Sequence, residues 1–288
     1  MSNPNNPSID ADNTNTENTI ANASPLTWIQ YKGDTNIGKV REANEDAYLV
    51  EPWKDNPEAL LVVVADGMGG HRGGKEAADI SIATFRELLD RPFPETDSAQ
   101  YELLLKQFYT ADEKIRDQAS QSFKLMDMGT TIVAAIFTPD YYIYLHAGDC
   151  RFYHIRNGEP VRISQDHSVV QVLIELGKIT EADVPTHPMR SVVNSSLGGR
   201  NANGQFTVSP QWNDDEHPAY PYESGDIFLL CSDGLHGEVP RDRILEISQQ
   251  HAKDPDLLTQ NLIDTALENG GKDNITLVIL GGKSDLAD

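Results

Sequence analysis

From residue 28 onward the chain alternates short apolar runs with longer amphipathic stretches. The runs are WIQYKG (28–33), DAYLVE (46–51), ALLVVVAD (59–66), TTIVAAIF (130–137), YYIYLHAGD (141–149), RFYHIR (151–156), DIFLLCSD (226–233) and NITLVIL (274–280). They are rich in Val, Ile, Tyr and Phe and predict strands. Asn157-Gly158, between RFYHIR and EPVRIS, is a type I′ turn signal and predicts a hairpin. Helical spacing predicts a helix over 75–90. A longer one covers about 99–121, with Leu103, Leu104, Phe108, Ala111, Ile115 and Ala119 on one face. Shorter helices are predicted at 168–177, ending at Gly177, at 241–250 after Pro240, and at 256–269, where Asp256 caps the start and Gly270 closes the end. Several neighbouring strands are joined by links too short for a parallel crossover. The pattern therefore predicts antiparallel sheets with helices packed outside them, an α+β fold rather than a doubly wound parallel sheet.

Residues 1–25 are dense in Asn, Ser, Thr and Pro and read as a disordered tail. One folded domain is expected over 26–283, with a short tail at 284–288. A hydrophobic content of 39% supports a substantial core. The formal charge of −22, from 23 Lys+Arg against 45 Asp+Glu, argues against nucleic-acid or anionic-membrane partners, both of which need clustered cations. The longest apolar run falls far short of the ~18 residues of a membrane span. The N-terminus lacks the basic start and apolar core of a secretory signal. A soluble, cytoplasmic protein is the expectation, with Cys150 and Cys231 as reduced, buried thiols.

Acidity acquires a sharper meaning from where the aspartates fall. Asp66, Asp149 and Asp233 close predicted strands, while Asp46 and Asp273 stand just before two others. Antiparallel neighbours place the end of one strand beside the start of the next, so all five carboxylates can line one edge of the sheets. Each alone reads as a turn residue. Five together would repel one another and titrate high unless cations neutralised them. All-oxygen ligation without a Cys or His cluster points to a hard divalent ion, Mg²⁺ or Mn²⁺.

The segment VVVADGMGGHRGG (62–74) puts five glycines into the eight positions after Asp66. A dinucleotide fingerprint starting at Gly67 needs glycine where Arg72 stands, and no Gly-Lys-Ser/Thr follows, so neither nucleotide motif fits. With a metal ion between carboxylate and phosphate, Asp66 becomes an anchor, and the glycines let the backbone, including the Gly67 carbonyl, approach the ion.

Eight segments, in order, give the chain a family resemblance: GKVREANEDAY (38–48), VADGMGGHRGG (64–74), MGTTIVAA (128–135), HAGDCRFY (146–153), SQDHS (164–168), HPMRSVVNSSLG (187–198), LLCSDGL (229–235) and GGKDNITLVIL (270–280). The chain resembles the metal-dependent serine/threonine protein phosphatases of type 2C, in their compact bacterial form. That resemblance implies a four-layer α-β-β-α sandwich with two central antiparallel sheets, and a binuclear Mn²⁺ or Mg²⁺ site at one end. Asp66 would bridge both ions, Asp233 and Asp273 would hold one, and Asp46 would help hold the other directly or through water. Gly67 would ligate by its carbonyl, and Glu45 would act through metal-bound water. Asp149, with Asp233, matches a weaker third metal site, and Arg41 matches a phosphate-binding arginine. Residues 169–200 match a flap beside the active site.

The implied reaction is hydrolysis of phosphoserine and phosphothreonine by in-line attack of a metal-bridging hydroxide, opposing a protein kinase, with phosphorylated proteins as partners of a monomeric enzyme. A phosphatase dedicated to one regulator, or a phosphoprotein-binding relative without turnover, are the alternatives. The chain departs from the pattern at Met68, where eukaryotic relatives carry a histidine that serves as general acid. His71 or a metal-bound water is left to protonate the leaving alkoxide. GDCR in place of the commoner GDSR is a smaller departure, and His167 and His187 read as structural.

Overall fold

The computed structural model describes residues 26, 28–70, 72–199, 205–212 and 219–282. Both predicted tails and His71 lie outside the described residues. Among the described residues the strands form two antiparallel sheets. One has the order β1 (Ile29–Asn36), β11 (Ile275–Gly282), β10 (Ile227–Cys231), β6 (Arg151–Arg156), β7 (Glu159–Ile163). The other runs β2 (Ala47–Pro52), β3 (Leu60–Met68), β4 (Gly129–Phe137), β5 (Tyr141–Ala147), β9 (Tyr220–Pro221), with β8 (Leu197–Gly198) paired to β4.

Side-chain parity explains the layering. Leu61, Val63 and Ala65 of β3 face the helix layer of α1 (Gly73–Arg86) and α2 (Asp97–Ser120), where they meet Ala77, Phe85, Leu104 and Phe108. Leu60, Val62 and Val64 of the same strand face the second sheet and meet Phe152, Phe228 and Val278. On that second sheet Leu229, Leu277 and Ile279 turn outward onto α5 (Arg241–Gln250) and α6 (Pro255–Glu268). Three apolar layers thus separate four layers of secondary structure, and the central strands are buried on both faces. Continuous apolar runs, rather than alternating ones, follow from that double burial.

The hairpin forms as the turn chemistry predicts, with Asn157 and Gly158 both at positive φ, 53° and 80°, between β6 and β7. Helix α1 begins at Gly73, two residues before the predicted start, and its last predicted residues, Glu87–Asp90, tighten into a 3₁₀ turn. Thr96 caps α2 by accepting from the Ala99 amide. One expectation is corrected: the cap of α6 is Asp254, which accepts from the Leu257 amide at 2.9 Å. Asp256 instead sits in the first turn and pairs with Lys32 at 3.3 Å. Helix α3 (Val169–Glu175) lies within the segment matched to the flap and is capped by Ser168.

Candidate active site

Both sheets end in carboxylates at the same rim. Asp46 immediately precedes β2, whose Ala47 lies opposite Ala65 of β3. Asp66 lies inside β3, opposite Thr131 of β4, rather than at the strand's end, because pairing continues through Gly67 and Met68. Asp149 follows β5 by two residues, in the link that crosses to β6 of the other sheet. Asp233 opens the short helix α4 (Asp233–His236) after β10, and Asp273 precedes β11.

Electrostatics shows that these groups sense one another. Asp66 is raised well above the usual carboxylate range, first by burial and then by Asp46, Asp233, Asp149 and Asp273. Asp46 is pushed up to about 7; burial dominates, hydrogen bonds from Thr276 and Ser232 pull it back, and Asp233 and Asp273 push it further. Asp233 rises to about 6, through burial and the nearby Asp273, against the lowering effects of Asp66 hydrogen bonding and Arg41. Asp149 is likewise raised, by burial and then by Asp233 and Asp166.

The Glu45 Oε1 and Asp233 Oδ1 atoms are buried without a hydrogen-bond partner, a costly arrangement for carboxylate oxygens unless a cation satisfies them. Among the described residues no three His, Cys, Asp or Glu side chains are already closed into a metal cage. The acidic group shares charge at longer range, and its oxygen-only chemistry with unpartnered buried oxygens fits Mg²⁺ or Mn²⁺.

Arg41 stands at the rim with its side chain 47% exposed, and its Nη2 donates to Asp273 Oδ2 at 2.5 Å. Its guanidinium is also in the field of Asp66 and Glu45. Gly67 has a packing reason beyond its predicted carbonyl role. A Cβ there would stand 2.1 Å from the Gly74 oxygen and 2.6 Å from the Glu45 oxygen, so glycine lets β3, the start of α1 and the Glu45 backbone meet.

Sequence reasoning missed the polar residues that hold this rim. Ser232 Oγ donates to Asp46 Oδ2 at 2.8 Å and accepts from the Thr276 amide at 3.0 Å, joining the two sheets. The Asp149 carbonyl accepts from His236 Nε2 at 2.9 Å, and Arg151 grips Asp166 through two bonds of 2.7 Å. His167 is structural, as expected: its Nδ1 accepts from the Gly148 amide at 3.2 Å, and its Nε2 lies 2.9 Å from Ser209 Oγ. Cys150, the departure in GDCR, is buried with its Sγ 3.2 Å from Thr131 Oγ1. The only signal for Ser232 and for Asn274 was adjacency to an aspartate.

Comparison with known proteins gives this architecture a class. The family model described as Protein phosphatase 2C matches residues 35–262. The serine/threonine phosphatase stp of Listeria welshimeri is 31% identical, over 85% of this chain and 93% of its own. A crystal structure of the Mycobacterium tuberculosis serine/threonine phosphatase PstP/Ppp is 31% identical, covers 89% of this chain and 100% of its own, and superposes with a TM-score of 0.76. The PstP catalytic domain in complex with two manganese ions is 29% identical, over 89% of this chain and 99% of its own, with a TM-score of 0.73. The chain belongs to the protein phosphatase 2C family, a class of serine/threonine protein phosphatases. Its two antiparallel sheets and flanking helices are the fold of those structures.

Proposed function

We propose that this phosphatase hydrolyses phosphoserine and phosphothreonine monoesters of proteins at the acidic rim, with two divalent ions, Mn²⁺ or Mg²⁺, held there. The observation that carries the reading is the mutually raised group of Asp46, Asp66, Asp149 and Asp233, with the Asp233 Oδ1 and Glu45 Oε1 atoms buried and unpartnered. Asp66, Asp46, Asp233, Asp273 and the Gly67 carbonyl would hold the two ions, Glu45 would act through water, and Asp149 with Asp233 would serve a third, weaker site. When bound, such ions supply acidified water as nucleophile and neutralise phosphoryl charge.

Arg41 contributes a binding function of its own. One donor nitrogen is engaged with Asp273, and among the described residues its other N–H groups have no protein partner. Those donors suit two phosphoryl oxygens. Burial pushes both thiols up, Cys150 and Cys231 alike, so neither provides a thiolate and a cysteine-nucleophile route is not supported. His71 or a metal-bound water would supply the leaving-group proton.

Further parts of the reading concern the cell. We propose a phosphatase domain over 26–283 between two tails, acting as a cytoplasmic monomer that opposes a serine/threonine kinase. Two free, buried cysteines suit a reducing compartment. Among the described residues no helix is long and apolar enough to cross a membrane.

A metal titration with a phosphothreonine peptide tests the core of the proposal. Activity is expected to be negligible in chelator and to return with Mn²⁺; full activity without divalent metal would overturn it. Arg41→Ala is expected to raise KM about tenfold, the scale of one charge-assisted hydrogen bond, with Mn²⁺ affinity little changed. Unchanged KM removes Arg41 from phosphate binding.

A further inference from the structure

The segment from Ile37 to Asp46 carries Arg41 and delivers Glu45 and Asp46 to the rim, yet it has no helix or strand of its own. Its backbone donors and acceptors must therefore find partners elsewhere. Four of them find the turn at 271–274. The Lys39 amide donates to the Gly271 carbonyl at 2.7 Å. Gly38 sits so close to that turn that a Cβ would stand 2.2 Å from the Asp273 oxygen.

Asn274, only 3% exposed, contributes most from a single side chain. Its Nδ2 donates to the Ile37 carbonyl at 2.9 Å and the Ala43 carbonyl at 3.0 Å, and its Oδ1 accepts from the Glu45 amide at 2.8 Å. The partners fix the orientation of the amide, since two carbonyls can only accept and one N–H can only donate. The three anchored positions bracket Arg41 on both sides. Aspartate lacks the donors, and serine is too short to span the same set.

We infer that Asn274 is a positioning residue for substrate binding: by clamping the backbone at 37, 43 and 45, it aims the Arg41 guanidinium at the phosphoryl group without touching substrate. The inference rests on the reading of Arg41 as the phosphate-binding residue. Loss of the clamp leaves the buried Glu45 amide without its partner, removes the donor to the part-buried carbonyls of Ile37 and Ala43, and frees the loop. Its effect on substrate then runs through Arg41.

The test uses the full chain at saturating Mn²⁺, with Asn274→Ala, Arg41→Ala and the double variant assayed on a phosphothreonine peptide. Asn274→Ala is expected to raise KM about tenfold while kcat changes less than about threefold, a split that general loss of structure does not give. In the Arg41→Ala background the same change should add less than about twofold, because residues acting through one another are not additive. Trypsin supplies a readout free of catalysis: cleavage after Lys39 and Arg41 should be about tenfold faster in Asn274→Ala than in the parent, with local opening as its cause. Should the alanine variant fail to fold, Asn274→Asp, which keeps the acceptor for Glu45 and loses both donors, is measured in the same way. A KM raised by Arg41→Ala but not by Asn274→Ala overturns this inference alone, as do KM effects that multiply in the double variant or an unchanged tryptic rate. A KM unmoved by Arg41→Ala overturns the reading beneath it as well.

Discussion

Asp66→Asn is expected to give a folded protein whose metal-dependent phosphatase activity is lower by about a thousandfold or more, the scale of losing a central metal ligand. The same substitution should not cost stability in chelator. Asp66 lies in the combined field of four other aspartates, so neutralising it removes repulsion that the fold otherwise carries. Proton linkage gives the sign. Asp46 and Asp233 titrate near 7 and 6 in the folded chain, against 3.8 for an unperturbed aspartate. Between those limits the native state holds more protons than the unfolded state, so the stability that the raised groups contribute is complete below about pH 4 and is lost as pH rises through their folded values. The parent in chelator should therefore melt several degrees lower at pH 8 than at pH 5, and Asp66→Asn should narrow that gap. Thermal scans at both pH values, beside a Mn²⁺-dependent peptide assay, check both statements. More than about a tenth of the parent activity remaining in the variant would show that Asp66 is not central to the metal site.

Phe137→Ala is expected to have the largest effect on stability. The ring is fully buried between the sheets, with centroids 4.9 Å from Phe228 and 5.7 Å from Tyr142. Truncation removes the buried surface and leaves a cavity bounded by two stiff sheets, costing about 3–5 kcal/mol. For a chain of this size that corresponds to a fall in Tm of roughly 6–20 °C. Mn²⁺ affinity should stay within about twofold, since additivity holds for distant sites and Phe137 pairs with Leu60 while Thr131 pairs with Asp66. Urea unfolding with Mn²⁺ saturating, and a calorimetric Mn²⁺ titration, measure the two quantities. A loss below about 1 kcal/mol would mean the sheets close over the gap.

Much of this architecture was legible before any coordinates. The apolar runs of β3, β4, β10 and β11 announced strands because their residues are buried on both faces, and Asn157-Gly158 announced the hairpin because two adjacent positive φ values need such residues. Pairing order was less accessible: β10 lies between β11 and β6, a choice set by long-range register that no local window contains. The same limit hid Ser232 and Asn274, whose partners Asp46 and Glu45 are 186 and 229 positions away. The cap of α6 was legible but misassigned. Pro255 occupies the first turn, and proline at that position points to the residue before it as the cap. For the site, the aspartates were visible one at a time through their neighbours in sequence. Their gathering at one edge and the need for a cation were already expected from the strand ends; which sheet each one comes from and the polar partners that hold them there required the fold.

The division of β3 has a consequence for how this protein can drift. Leu60 belongs to an oily seam shared with Phe137, Tyr142, Phe152 and Phe228, whereas Asp66, about 20 Å further along at 3.3 Å per residue, belongs to the acidic rim. Substitutions at the seam chiefly lower thermal tolerance, while substitutions at the rim chiefly change the chemistry and act on stability only through the charge they add or remove. One strand thereby gives two nearly independent targets for variation, so a lineage can adjust its heat resistance at one end of the molecule without retuning the catalyst at the other.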